Sequence, residues 1–119
     1  MKLLVLALLV WMPCAYGEIF APGDNRTDFR TYVAKASHYL RTKQVASPED
    51  AMQIGLAMGY VEGLALMLQS DKVICPPTGS PAKRLDVVFR YLERHPRGDQ
   101  EVAAVMVMRA LGEAFPCPK

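Results

Sequence analysis

The side chains that could support catalysis or metal binding are few. They are Cys14, Cys75 and Cys117, His38 and His95, and Glu62, an isolated carboxylate in a long apolar stretch. A thiol hydrolase needs a free, activated cysteine with a base beside it. Cys75 runs into Pro76-Pro77, and Cys117 lies between Pro116 and Pro118, settings that suit a structural link better than a nucleophile. A zinc site needs further ligands at short spacing, and neither His38 nor His95 has them. Met106 and Met108 lack the ligand set that copper carriage needs. His38 reads as the boundary residue of an amphipathic helix. His95 precedes Pro96 at a helix C-terminus, where a partly positive imidazole suits the dipole. The chain therefore reads as a non-enzyme with no metal and no cofactor.

The N-terminus fits export. Lys2 precedes an unbroken apolar run from Leu3 to Met12, Pro13 breaks it, and Ala15-Tyr16-Gly17 supplies small residues for cleavage. Residues 1–17 are thus expected to be a secretory signal peptide, too short to stay as a membrane anchor. Its removal leaves 102 of 119 residues, enough for one modest core, and lowers the formal net charge from +2 to +1. Nucleic-acid binding needs a concentrated basic footprint, and this balance supplies none. Cleavage also removes Cys14. Two cysteines in an oxidising compartment pair more often than not, so a Cys75–Cys117 disulfide is expected, with two free thiols as the alternative.

The rest of the chain reads as four helices separated by proline-containing breaks, with no alternating run that would make a strand. Asp24 or Asn25 can cap the first, whose stripe is Phe29, Tyr32, Val33, Ala36, Tyr39 and Leu40. Ser47-Pro48-Glu49-Asp50 is a strong start for the second, with cap, first-turn proline and two acids at the positive end of the dipole. Ser80-Pro81 opens the third, with Leu85, Val88, Phe89 and Leu92 inward and an Asp86–Arg90 pair outside. Asp99 can cap the fourth, which carries Val102, Val105, Met106, Ala110 and Leu111. The expected class is a small all-α bundle of about four helices, with residues 18–119 as its single domain.

The second helix is expected to be central and mostly buried. On a helical wheel Ile54, Ala57, Val61, Leu64, Ala65 and Leu68 lie together, flanked by Leu56, Met58, Tyr60 and Met67. Ala51, Gly55, Gly59 and Gly63 recur every fourth position on the opposite side, with Glu62, Gln69 and Ser70. Each glycine costs up to about 1 kcal/mol against alanine there, so something should approach the backbone closely. Another helix of the same subunit is the plain candidate, a second subunit or a partner the other two. Glu62 should be exposed, paired with an arginine, or at an interface, because a buried lone carboxylate is expensive.

Four elements in order carry a family resemblance: Gly59-Tyr60-Val61-Glu62-Gly63, Cys75-Pro76-Pro77, Tyr91-Leu92-Glu93-Arg94-His95-Pro96, and Ala114-Phe115-Pro116-Cys117-Pro118. Over about residues 50–118 the chain resembles the Rap/Tai family of periplasmic immunity proteins. It departs from many relatives in having no cysteine between Glu18 and Ile74. The resemblance implies a helical periplasmic inhibitor, often a homodimer, that occludes a type VI secretion effector, in particular a peptidoglycan amidase. The partner expected is thus a cognate cell-wall hydrolase, with no nucleic acid and no membrane anchor after cleavage. The connector from Lys72 to Pro81 suits insertion into an enzyme cleft. Asp71, Lys72, Pro76, Pro77, Thr78 and Gly79, together with Glu62, are the candidate partner-binding residues, and a solvated structural turn is the alternative. Two other classes remain: a periplasmic acid-stress chaperone, and a housekeeping envelope protein of the same fold.

Overall fold

The computed structural model describes residues 26–75, 79–96 and 102–119; side-chain surroundings are described from Phe29 onward. The expected signal peptide, Asp24, Asn25 and Asp99 lie outside these residues. Four helices follow one another: α1 Arg26–Thr42, α2 Pro48–Ser70, α3 Pro81–Arg94 and α4 Ala103–Ala114. There is no strand among the described residues. The fold is all-α, as the helical periodicities require.

Local signals account for the helix boundaries. Ser47 Oγ accepts from the Asp50 backbone N–H at 3.1 Å, Pro48 occupies the first turn, and Glu49 and Asp50 sit at the positive end of the dipole. Ser80 occupies the corresponding place before Pro81 but makes no side-chain cap, and α4 begins after Val102 without one. Those two starts rest on packing rather than on capping.

The core collects one stripe from each helix. Phe29, Val33 and Ala36 of α1 meet Ile54, Ala57, Val61, Ala65 and Leu68 of α2, Leu85, Val88, Tyr91 and Leu92 of α3, and Met106, Val107, Ala110 and Leu111 of α4. Tyr60 is half-buried and presents its ring edge-on to Phe29 at 5.8 Å between centroids. Both α2 and α3 pack against all three other helices, so they form the centre of the bundle. Burial of these side chains stabilises the fold by about 1.5–3 kcal/mol for each large one. Tyr91, Val107 and Ser37 are also buried, three positions that the apolar stripes alone do not single out.

The outer face of α2 departs from expectation. Although α2 packs centrally, only about a third of its most apolar window is buried. Among the described residues, no helix lies against the glycine stripe. A Cβ built at Gly55, Gly59 or Gly63 meets nothing within 4 Å. Met67, placed beside the core on the wheel, is 51% exposed, and Met52 and Leu66 are each 58% exposed. The other three described helices pack on the opposite side of α2.

Candidate functional site

The connector after α2 is built on a helix end closed in a particular way. Lys72 N–H donates to the Gln69 carbonyl at 3.1 Å, and Val73 N–H donates to the Leu68 carbonyl at 2.8 Å. This pair of bonds is a Schellman motif, whose turning residue adopts left-handed backbone angles. Here that residue is Lys72, with φ of 57°, where glycine is usual. Lys43, after α1, does the same at φ 59°. Non-glycine residues held there mark backbone imposed by its surroundings.

Ile74 then drops fully into the core. Cys75 is fastened twice to the C-terminal segment. Its backbone N–H donates to the Phe115 carbonyl at 2.9 Å. Its sulfur is bonded to Cys117, closing a 42-residue loop, as the two-cysteine arithmetic expected. Cys117 Sγ also lies 3.4 Å from the Lys72 carbonyl, a van der Waals contact because a bridged sulfur has no proton to donate. Asp71, Lys72 and Val73 therefore project outward from a base fixed on both sides, with Val73 55% exposed.

The far side of the connector is held by charge. Arg84 of α3 places Nε and Nη2 on the two carboxylate oxygens of Glu62 at 2.7 and 2.5 Å. Its Nη1 donates to the Gly79 carbonyl at 3.1 Å. The hydrogen bond to Glu62 raises the Arg84 pKa above its ordinary value, with desolvation opposing and the carboxylate charge assisting. Glu62 thus has a structural partner in its own chain, and the structure separates it from the exposed group formed by Asp71 and Lys72. Gly79 is exposed at the end of the connector. Pro76, Pro77 and Thr78 lie outside the described residues.

Arg30 is a structural residue with no local signal in the sequence. Its Nη1 and Nη2 donate to the Leu92 and His95 carbonyls at 2.9 and 2.7 Å, neutralising the negative end of α3. His95 stacks on Tyr91 with ring centroids 4.0 Å apart, and its Nδ1 lies 2.8 Å from the Tyr91 carbonyl. That ring completes the helix end, the role its position before Pro96 suggested. His38 lines an open cleft of about 660 Å3 at the α1–α2 elbow, with Ala34, Lys35, Val45, Asp50 and Ile54. Lys35 closes one wall by reaching Asp50 at 2.6 Å and the Gln53 amide oxygen at 2.5 Å. The cleft lies at the opposite end of α2 from the connector. Among the described residues, no group of three or more His, Cys, Asp or Glu is placed to hold a metal.

The arrangement is an exposed acid–base pair, Asp71 and Lys72, beside a disulfide-fastened base. Residues 34–117 match a family model described as Rap1a immunity proteins. The matched span runs from within α1 to Cys117 and contains the whole connector. No curated protein and no solved structure matches the chain.

Proposed function

This chain belongs to the family of Rap1a immunity proteins, and we propose that it acts in the periplasm by binding and blocking a type VI secretion effector that is a peptidoglycan amidase. The family match over residues 34–117 is the observation that carries the reading. The geometry of the connector supports that reading. A segment inserted into an enzyme cleft loses affinity if it must be ordered on binding. Lys72 and Val73 are already fixed by the Schellman bonds, and Cys75 by its disulfide and its bond to Phe115. Asp71 and Lys72 supply one charge of each sign for polar groups of the cleft, while Val73 supplies the apolar contact. Pro76, Pro77, Thr78 and Gly79 continue the inserted segment, and Arg84 braces its end. Glu62 contributes through Arg84 rather than by touching the effector.

The test is a titration of the signal-cleaved protein into an amidase effector of the producing bacterium while it digests purified peptidoglycan. One-to-one inhibition at neutral pH, lost when Asp71 and Lys72 exchange charge sign, is expected. Undiminished digestion at excess protein would overturn the reading. So would suppression of aggregation of unrelated proteins confined to acid pH, which belongs to a chaperone.

A further inference from the structure

We propose that Met67 is a modification site that governs the connector: oxidation of its thioether to the sulfoxide weakens effector inhibition and leaves the fold intact. The inference rests on the connector being the inhibitory element, and it adds a chemical control to that element.

Five methionines lie among the described residues, and they divide by exposure. Met52, Met67 and Met108 are exposed, Met58 is half-buried, and Met106 is 1% exposed in the core. A peroxide must reach the sulfur lone pair, so the exposed three are the reactive ones. Met106 is shielded twice, by burial and by the Arg30 guanidinium, whose Nη2 lies 3.9 Å from its sulfur. Thiols would compete for the oxidant, but Cys75 and Cys117 are already joined to each other. Thioethers are therefore the sulfur groups left to react among the described residues.

Position separates Met67 from the other two. Its carbonyl accepts the Asp71 backbone N–H at 3.0 Å, so it lies one turn below the charged pair Asp71-Lys72. The Schellman motif that closes α2 places it at the connector as well. The residue in Val73's place of such a motif commonly packs on one of two helix residues, here Met67 and Leu68. Leu68 belongs to the core, which leaves Met67 to share the outer surface with Val73. Asp71 and Lys72 are thus preceded and followed by apolar side chains that are 51% and 55% exposed. Met52 lies fifteen residues earlier, about 22 Å along the same helix, and Met108 is on α4.

The reaction is a two-electron oxygen transfer from hydrogen peroxide. The sulfur lone pair attacks one peroxide oxygen, and the S–O bond forms as the O–O bond breaks. The proton of the transferred oxygen passes to the departing one, which leaves as water. Sulfide is oxidised to sulfoxide, and peroxide is reduced. The product is a polar group in place of an apolar one. In the free protein an exposed sulfoxide stays hydrated, so the packing of the core is untouched. Against an enzyme cleft it must give up that water. A polar group covered without a hydrogen bond is unfavourable enough to weaken binding about tenfold or more. Enzymatic reduction of the sulfoxide restores the thioether, so the modification is reversible.

The test treats the protein with graded hydrogen peroxide, removes the oxidant, and maps each methionine by peptide mass spectrometry. The product is then titrated into the amidase effector as it digests peptidoglycan. Met52, Met67 and Met108 are expected to oxidise before Met106. The inhibitory midpoint should rise about tenfold in step with Met67 sulfoxide, at an unchanged melting temperature. Met67→Leu, apolar but inert to peroxide, should keep its potency through the same treatment, whereas Met52→Leu and Met108→Leu should lose it as wild type does. Full potency at complete Met67 oxidation would overturn this inference alone, as would equal loss in Met67→Leu, or a loss accompanied by a lowered melting temperature. No inhibition by unoxidised wild type would overturn the inhibitor reading and this inference with it.

Discussion

Glu62 and Arg84 form a two-point ion pair between the centre of α2 and the first turns of α3, at 2.7 and 2.5 Å. Their side chains are 26% and 12% exposed, between a surface pair and a buried one. The one carboxylate between Ala51 and Gln69 is therefore an anchor for the connector, because the same guanidinium reaches the Gly79 carbonyl. Arg84→Met should destabilise the protein by about 1–3 kcal/mol, more than the roughly 0–1 of an exposed pair, since it strands a half-buried carboxylate. The Glu62→Gln, Arg84→Met double variant should recover part of that loss. Urea denaturation of the four proteins measures it; additive losses would contradict coupling.

Arg30 joins two carbonyls at the end of α3 that are 62 and 65 residues away in sequence. Lysine has one ammonium where arginine has a planar fork, so it cannot hold both with the same geometry. Arg30→Lys should destabilise by about 1–3 kcal/mol, seen as a lower urea midpoint with unchanged slope. Wild-type stability in this variant would mean that charge alone, not the fork, closes the helix.

Lys72 is held left-handed at the connector's root. Lys72→Gly removes a steric penalty and should stabilise by about 0.5–1 kcal/mol, while weakening effector inhibition through loss of the ammonium group. Lys43→Gly serves as the comparison, with a similar gain in stability and unchanged inhibition. Equal inhibition by both variants would remove Lys72 from the binding surface.

The Cys75–Cys117 bond closes 42 residues. Chain entropy assigns such a loop roughly 4 kcal/mol. Paired Cys75→Ser and Cys117→Ser replacement should lower the melting temperature by roughly 15–30 °C in a domain of this size. A shift of a few degrees would show that the Cys75–Phe115 hydrogen bond and Ile74 burial hold the connector without it.

Burial raises the Tyr60 pKa above its ordinary 10.0. The phenol is then neutral in the folded state over a range where the unfolded chain already ionises. Its contribution is complete below about pH 10 and is lost as pH rises through the folded value. Wild type should lose stability faster than Tyr60→Phe between pH 9.5 and 11, scales set by the phenol itself. Parallel loss in both would mean that Tyr60 does not ionise within that range.

Much of this fold is legible in the sequence because its signals are local. Ser47-Pro48-Glu49-Asp50 marks the start of α2 by itself, and the stripes Phe29-Val33-Ala36 and Leu85-Val88-Leu92 follow from helical period alone. The Cys75–Cys117 bond follows from the cysteine count and the expectation of export. What the sequence does not disclose depends on distant partners. Arg30 has no neighbour that announces its carbonyls, and nothing around Lys72 distinguishes a left-handed lysine from an ordinary one. Period analysis sets Ile54, Ala57, Val61, Ala65 and Leu68 of α2 inward correctly, but it puts the exposed Met67 beside the core and misses the buried Gln53. It cannot tell that the glycine face meets no helix among the described residues, because hydropathy reports which faces need covering and not what covers them. The pairing of Glu62 was foreseeable as a need, its arginine only from the fold.

The most direct measurement of the central claim is inhibition of a peptidoglycan amidase effector of the producing bacterium by residues 18–119, wild type against Asp71→Lys, Lys72→Glu. The account predicts one-to-one loss of hydrolysis with wild type, and loss of that inhibition in a variant whose melting temperature is unchanged. Equal inhibition by wild type and variant would contradict the connector as the inhibitory element. No inhibition by either would contradict the assignment of an amidase as the target.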